Sequence, residues 1–187
     1  MRLALFGGSF DPPHIGHYRI IEEALNKLKI DKLVIVPTFK NPWKKKFKAP
    51  PQIRFNWIQK VVSDIKSKNK NLTAEIEVSD FEIKNGYPTP TIETVRGLTT
   101  WDDEVYLIIG ADNLQGIPRW DDFEEIDQRV KWVVATRNRI EIPEKYIQLE
   151  VDFDISSTQL REKVEQDFVP KAIAQDVKNF YSNSENE

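Results

Sequence analysis

The two histidines of this chain lie three residues apart in one glycine- and proline-rich segment, GGSFDPPHIGH, at residues 7–17. Glycines let backbone amides approach a phosphate closely, and a helix beginning within the segment adds the partial positive charge of its N-terminus. His14 and His17, at the mouth of that helix, could both donate hydrogen bonds to one anion. The alternative is an ordinary turn with two surface histidines. The segment lacks the G-x-G-x-x-G spacing, so it does not predict a dinucleotide-binding loop.

A second segment, DISSTQLR at residues 154–161, places three hydroxyls before a helical run. Ser156, with the glutamine three residues later, fits a capping box, which alone marks only the start of a helix. The amides of Ser157 and Thr158 could also hold an anion, and Arg161 lies one turn into the helix, within reach of it. Two helix starts of this type in one small domain suggest a nucleoside triphosphate.

Composition limits the class of protein. With 187 residues and 40% hydrophobic side chains, the chain can form one domain with a substantial core. The lack of cysteine excludes thiolate metal sites, cysteine nucleophiles and disulfides. A formal net charge of −3 disfavours general nucleic-acid binding and favours a small polyanionic ligand. No apolar run approaches the roughly 18 residues of a membrane span, and no signal-peptide pattern is visible, so we expect no membrane partner and a cytoplasmic location.

Strand-like and helix-like patterns alternate along the chain. Helical spacing predicts helices at residues 16–29 and 53–65, and helices beginning near Thr91, Ser157 and Lys171. Apolar runs predict strands at residues 3–6, 33–36, 72–78, 105–109, 130–135 and 147–151. We therefore expect the α/β class: a doubly wound, Rossmann-like parallel sheet in a single domain at residues 1–181, with a disordered tail at 182–187. Ligands bind such sheets at the carboxyl ends of the strands, where the strand order reverses.

Four segments of the chain resemble one enzyme family. GGSFDPPHIGH resembles the (H/T)xGH motif of the nucleotidyltransferases related to class I tRNA synthetases, and ISSTQLR resembles their second motif, ISSTxxR. TIETVRGL at residues 91–98 and IIGADNLQGIPRW at residues 108–120 are similar to segments of the bacterial nicotinate mononucleotide adenylyltransferases. The four matches stand in the family's order and cover most of the chain. The resemblance implies a reaction that joins ATP to a pyridine mononucleotide and releases pyrophosphate.

The resemblance also implies a role for individual residues. It places His14, His17 and Arg161 on the phosphates of ATP as the catalytic set. It places Trp120 on the pyridine ring, with Lys44 and Thr91 also contacting the mononucleotide. The remaining ATP contacts that it implies are Gly8, Ser9, Phe10, Gly110, Asp112, Ser156, Ser157 and Thr158.

Several of these residues have an ordinary structural alternative. Trp120 could pack under the loop after Pro118, although stacking of an indole on a cationic pyridinium ring is also favoured. Asp112 could simply cap the helix after Gly110. The lysines of residues 40–48 could form a solvated surface, and among them we expect only Lys44 to contact a ligand.

The expected reaction needs hydrogen-bond donors and cations. A phosphate monoester has a second pKa of about 6, so the mononucleotide is already a dianionic nucleophile at neutral pH and needs no general base. The difficulty lies in bringing two polyanions together and in stabilising the departing pyrophosphate. We expect Mg²⁺ to be bound mainly through the ATP phosphates and water, with no dedicated carboxylate cage.

Two departures from the family pattern concern the choice of acceptor. The chain reads Asn41-Pro42-Trp43-Lys44 where the family usually has PPHK, and Glu93 replaces the usual aspartate. We expect nicotinate mononucleotide as the acceptor, with nicotinamide mononucleotide as the closest alternative. A sister transferase acting on phosphopantetheine or another phosphorylated acceptor, and a nucleotide-binding regulator without turnover, are the other hypotheses. A homo-oligomer is compatible with the sequence.

Overall fold

A computed structural model describes residues 1–40, 49–137, 139–151 and 168–183 of the chain. The strands are β1 (Arg2–Gly8), β2 (Lys32–Pro37), β3 (Glu75–Val78), β4 (Glu104–Gly110), β5 (Val130–Ala135) and β6 (Ile147–Leu149). The α-helices are α1 (Ile15–Lys27), α2 (Pro51–Lys68), α3 (Phe81–Asn85), α4 (Thr91–Leu98), α5 (Phe123–Arg129) and α6 (Ala174–Asn183). Two short 3₁₀ helices, Ala111–Asn113 and Ile117–Arg119, follow β4.

The strands form one sheet in the order β3-β2-β1-β4-β5-β6, and every pairing between neighbours is parallel. From β1 the chain builds outward to β3, then crosses back and builds outward again from β4. The order therefore reverses between β1 and β4, and their carboxyl ends frame the crevice in which such sheets bind ligands. The predicted α/β class and doubly wound parallel sheet are confirmed.

The alternation of side chains along the strands produces two hydrophobic cores, one on each face of the sheet. Ala4 and Phe6 of β1 face a core formed with α1, α2 and α6. Leu3 and Leu5 face the opposite core, formed with α4 and α5. Two helix layers thus hold the central strands rigidly, so the loops at their carboxyl ends start from fixed positions.

The structure corrects the sequence prediction in several places. The strand predicted at residues 147–151 is limited to Ile147–Leu149, and the helix predicted from Lys171 begins at Ala174. The strand predicted at residues 72–78 is confined to Glu75–Val78, because residues 69–74 are turns and irregular chain. Helix α3 was not predicted, since its five residues are too few to show a helical period. Residues 182 and 183, predicted to belong to a disordered tail, form the end of α6. The helix predicted from Ser157 lies outside the described residues.

Candidate active site

A cavity of about 530 Å³ opens at the carboxyl ends of β1, β2 and β4, beside the start of α4. Of the residues predicted for the site, five line this cavity together: Gly8, Ser9, Thr91, Gly110 and Trp120. Two cations, Lys40 and Arg119, also line it. The cavity therefore combines part of the predicted phosphate-binding segment at residues 7–17 (hereafter the phosphate loop), the indole predicted to stack on the pyridine ring, and positive charge, as a nucleotide site requires.

The loop after β1 is shaped by close packing. An added Cβ at Gly8 would come within 3.1 Å of the ring of Phe10, so this position requires glycine or movement of that ring. Phe10 has a φ of 49°, in the left-handed region that a bulky residue rarely adopts. Its ring is buried in the core, 4.9 Å between centroids from that of His17. The side chain of Phe10 therefore supports His17, and only its backbone could contact a nucleotide.

His14 and His17 form a reciprocal cap at the start of α1. The backbone N–H of His17 donates to Nδ1 of His14 at 3.3 Å, and the backbone N–H of His14 donates to Nδ1 of His17 at 3.0 Å. The two rings stack with their centroids 3.7 Å apart. Because each Nδ1 accepts a backbone hydrogen bond, each neutral imidazole carries its proton on Nε2. Both side chains are thereby fixed as Nε2 donors at a helix N-terminus.

Asp112 does not cap the 3₁₀ helix after Gly110, where no side-chain cap is formed. Its carboxylate instead pairs with Arg137, just beyond β5, at 3.2 Å. A Cβ on Gly110 would meet the Asp112 carboxylate at 2.6 Å, so the glycine allows that carboxylate to lie against the strand end. Arg137 was not predicted, although a cation directly after a buried strand belongs to the edge of the sheet where ligands bind.

Trp120 packs on the core and also reaches the cavity. It packs on the core beneath it, with 6.0 Å between its ring centroid and that of Trp132. It also lines the cavity, as Gly8 and Ser9 do. The 3₁₀ helix Ile117–Arg119, which contains Pro118, ends directly before this indole and sets its position.

The two ends of the segment at residues 41–48 are connected by one buried cation, Arg54. Its guanidinium is fully buried and donates to the carbonyl oxygens of Ser9 at 2.6 Å, Phe39 at 2.9 Å and Ala49 at 3.0 Å. Burial lowers the pKa of Arg54, and the nearby charge of Asp11 opposes that shift. Arg54 thus joins the phosphate loop to the exit of β2 and to the start of α2.

Asp11 forms a second buried connection. Its Oδ1 accepts from the backbone N–H of Ala49 at 3.2 Å and from the hydroxyl of Tyr181 at 2.5 Å. Tyr181 belongs to α6, so this last described helix is bonded directly to the loop that carries the histidines. Sequence reasoning missed both connections, because charged residues are usually exposed and their burial depends on segments distant in the chain.

Glu93, which departs from the family pattern, accepts a hydrogen bond from the hydroxyl of Tyr87 at 2.7 Å. The bond connects the first turn of α4 to the loop before it. The remaining predicted contacts, Lys44, Ser156, Ser157, Thr158 and Arg161, lie outside the described residues, as does the Asn41-Pro42-Trp43 stretch. Within the described ranges, no three histidine, aspartate or glutamate side chains are grouped as metal ligands. No helix in those ranges has the length and apolar character needed to cross a membrane.

Comparison with known proteins defines the class and then the family. The model of the cytidylyltransferase-like family matches residues 5–163. A Sulfurimonas denitrificans protein named "Probable nicotinate-nucleotide adenylyltransferase" is 47% identical over 180 residues, covering 96% of this chain and 94% of its own. A Campylobacter jejuni protein of the same name is 42% identical, with 97% of each chain covered. The chain belongs to the cytidylyltransferase-like nucleotidyltransferases and, within them, to the nicotinate-nucleotide adenylyltransferase family.

A solved structure shares the fold. The Plasmodium falciparum nicotinic acid mononucleotide adenylyltransferase complexed with NaAD aligns with a TM-score of 0.75 over 97% of both chains, at 20% sequence identity. At 20% identity, this alignment shows that the two proteins share a fold.

Proposed function

We propose that the protein transfers the adenylyl group of ATP to nicotinate mononucleotide, giving deamido-NAD and pyrophosphate. The observation that carries this proposal is the shared cavity, which Gly8 and Ser9 line together with Thr91 and Trp120. The first pair suits a nucleoside phosphate, and the second pair suits an aromatic ring with a polar substituent. The names of the full-length relatives support the same reaction.

In this reaction an oxygen of the mononucleotide phosphate attacks the α-phosphorus of ATP. The new P–O bond forms as the bond between the α-phosphorus and the β-phosphate breaks, and the electron pair leaves with pyrophosphate. We assign His14 and His17 to the ATP phosphates, because their Nε2 protons are donors held at a helix N-terminus. Arg161, Ser156, Ser157 and Thr158 are proposed to hold the triphosphate, and Lys44 the mononucleotide, on the motifs that they occupy.

Enzymes of this family typically use a metal ion. We propose Mg²⁺, bound by the phosphate oxygens of ATP, where it supplies positive charge to the departing pyrophosphate. The described residues fit this assignment, because His14, His17, Lys40 and Arg119 offer donors and positive charge to phosphate. The cavity carboxylates Glu82 and Asp121 belong to no described group of three metal-ligand side chains, and Asp112 is paired with Arg137.

The nicotinate carboxylate is proposed to lie at the start of α4. Thr91 is the first residue of this eight-residue helix, so its N–H has no partner within the helix. Pro88 and Pro90 have no N–H, and the N–H of Gly86 donates to Ile83, so the amides that the helix dipole reinforces are those that begin α4 at Thr91 and Ile92. Such an end favours a carboxylate, whose oxygens accept hydrogen bonds, over the NH₂ of a carboxamide, which only donates them.

Pyrophosphate release with ATP, Mg²⁺ and a panel of acceptors tests the proposal. We expect turnover with nicotinate mononucleotide at a kcat/KM about tenfold to a hundredfold above that with nicotinamide mononucleotide. Equal or reversed values would overturn the nicotinate assignment and leave adenylyl transfer intact. Turnover with phosphopantetheine instead would indicate a sister transferase, and binding of ATP without turnover on any acceptor would indicate a regulator. From the composition of the chain, we also propose that the protein has no nucleic-acid partner and that it is cytoplasmic.

A further inference from the structure

Glu82 is a buried carboxyl group at the same cavity, and neither the motifs nor the proposed reaction uses it. It lies on α3, is 6% exposed, and lines the cavity together with Thr91 and Trp120. The hydroxyl of Thr94, one turn into α4, donates to its Oε1 at 2.5 Å. Its Oε2 is buried and has no hydrogen-bond partner among the described residues. A buried carboxylate oxygen without a partner is costly, so the group must be protonated or must respond to what enters the cavity.

Several charged side chains lie on the cavity lining and on the helices next to Glu82. Arg119, Asp121 and Lys40 line the same cavity, and Lys40 follows the end of β2. On α4, Glu93 is bonded to Tyr87, and Arg96 pairs with Asp122 and Glu125. On the flank of α3 itself, Asp80 pairs with Lys84.

The pKa of Glu82 is set by its burial and not by these surrounding charges. Burial raises the pKa of Glu82 to about 7, and the hydrogen bond from Thr94 opposes the shift. Both protonation states are therefore accessible near neutral pH, and a charge placed inside the cavity will select between them.

We propose that Glu82 is a specificity-determining residue: its neutral carboxyl admits the carboxylate of a nicotinate ring beside Thr91, and its ionised carboxylate opposes that anion. The inference rests on the proposed function. A carboxamide carries no charge, so ionised Glu82 does not repel it, and Oε2 could accept a hydrogen bond from its NH₂. Above neutral pH, nicotinate mononucleotide must therefore bind together with one proton taken up by Glu82, whereas nicotinamide mononucleotide binds without one.

The test compares the two substrates across pH. We expect the ratio of kcat/KM for nicotinate over nicotinamide mononucleotide to fall by up to about tenfold per unit between about pH 7 and 9. The phosphate ionises identically in both substrates, so its effect cancels in the ratio. In Glu82→Gln, which keeps an acceptor for Thr94 and cannot ionise, the ratio should be constant with pH. Asp80→Asn, which removes an exposed carboxylate from the same end of α3, should keep the wild-type slope.

Calorimetry on the unmodified protein gives a readout that does not depend on a variant. Binding at about pH 8, in buffers of different ionisation enthalpy, should show uptake of about one proton with nicotinate mononucleotide and about none with nicotinamide mononucleotide. Equal proton uptake for both substrates, or a slope retained by Glu82→Gln, would overturn the role of Glu82 while both substrates are still adenylylated. Failure of both mononucleotides to react with ATP would overturn the proposed function and this inference together.

Discussion

The side chains of His14 and His17 each accept a hydrogen bond from the other's backbone N–H, at Nδ1 in both rings. His14 takes the N-cap position, which serine, threonine, aspartate or asparagine usually occupies, and His17 takes the third helical position, where a capping box usually has glutamate or glutamine. The arrangement also fixes which nitrogen carries the proton, so that capping the helix and presenting a donor to phosphate are two consequences of one geometry.

We expect His17→Ala to lower kcat by about 10²–10³-fold, because a donor that strengthens as charge develops on the transferring phosphate is lost. Steady-state kinetics with saturating ATP measures the effect. His17→Gln is the matched control, since glutamine at this position restores an acceptor for the backbone N–H of His14 without an imidazole. The control should recover the melting temperature and leave kcat low. An alanine variant that keeps more than half of the wild-type kcat would remove His17 from the catalytic set.

Arg161→Ala should weaken ATP binding more than mononucleotide binding. Only ATP carries β- and γ-phosphates, and a charge-assisted hydrogen bond to them contributes about 1.5–3 kcal/mol. Calorimetric titration of each substrate separately measures both affinities. Equal losses for the two substrates would place Arg161 away from the triphosphate.

Trp120→Ala should raise the KM for the mononucleotide about tenfold and leave the KM for ATP nearly unchanged, since stacking on one aromatic ring contributes about 1–3 kcal/mol. Trp101→Ala is the control for loss of an indole, because Trp101 is 63% exposed and contacts Arg129 rather than the cavity. If both variants change the two KM values alike, the indole of Trp120 serves packing alone.

Replacement of Arg54 by methionine should lower the free energy of unfolding by about 3–5 kcal/mol, because three carbonyl oxygens lose their donor and the buried Asp11 loses a nearby positive charge. Denaturant unfolding measures the loss. Lys66→Met, an exposed position on the same helix, should change it by less than about 0.5 kcal/mol. A methionine variant as stable as the wild type would show that the three loop segments hold together without Arg54.

Glu82 should make the folded state less stable as pH rises. Its folded pKa of about 7 lies above the ordinary value of 4.5, so the folded state binds more protons than the unfolded state in that interval, and stability falls as pH passes from about 4.5 to about 7. At 1.36 kcal/mol per unit, the full loss is about 3 kcal/mol. Unfolding measured at both ends of the interval should show this loss in the wild type and not in Glu82→Gln. A wild-type curve that is flat over this interval would contradict the assignment.

The sequence predicted those parts of the fold that depend on local pattern. The strand at residues 130–135 has the predicted bounds, because an apolar run interrupted only by the exposed Lys131 defines it. The loop at residues 7–17 was placed correctly, because parallel strands end at one edge of the sheet. Arg54 and Glu82 could not be identified, since nothing local distinguishes a buried charged residue from an exposed one. Their burial depends on Ser9, Phe39 and Thr94, which come from other segments of the chain.

The bond between Asp11 and Tyr181 joins residues that are 170 positions apart. At about 5–20 residues per second of synthesis, the loop that carries the histidines waits roughly 10–30 s for this partner to emerge from the ribosome. Until α6 docks, Asp11 lacks its bond to the Tyr181 hydroxyl. Completion of the loop therefore depends on nearly complete translation, so that a prematurely terminated product carries both histidines without the support that positions them.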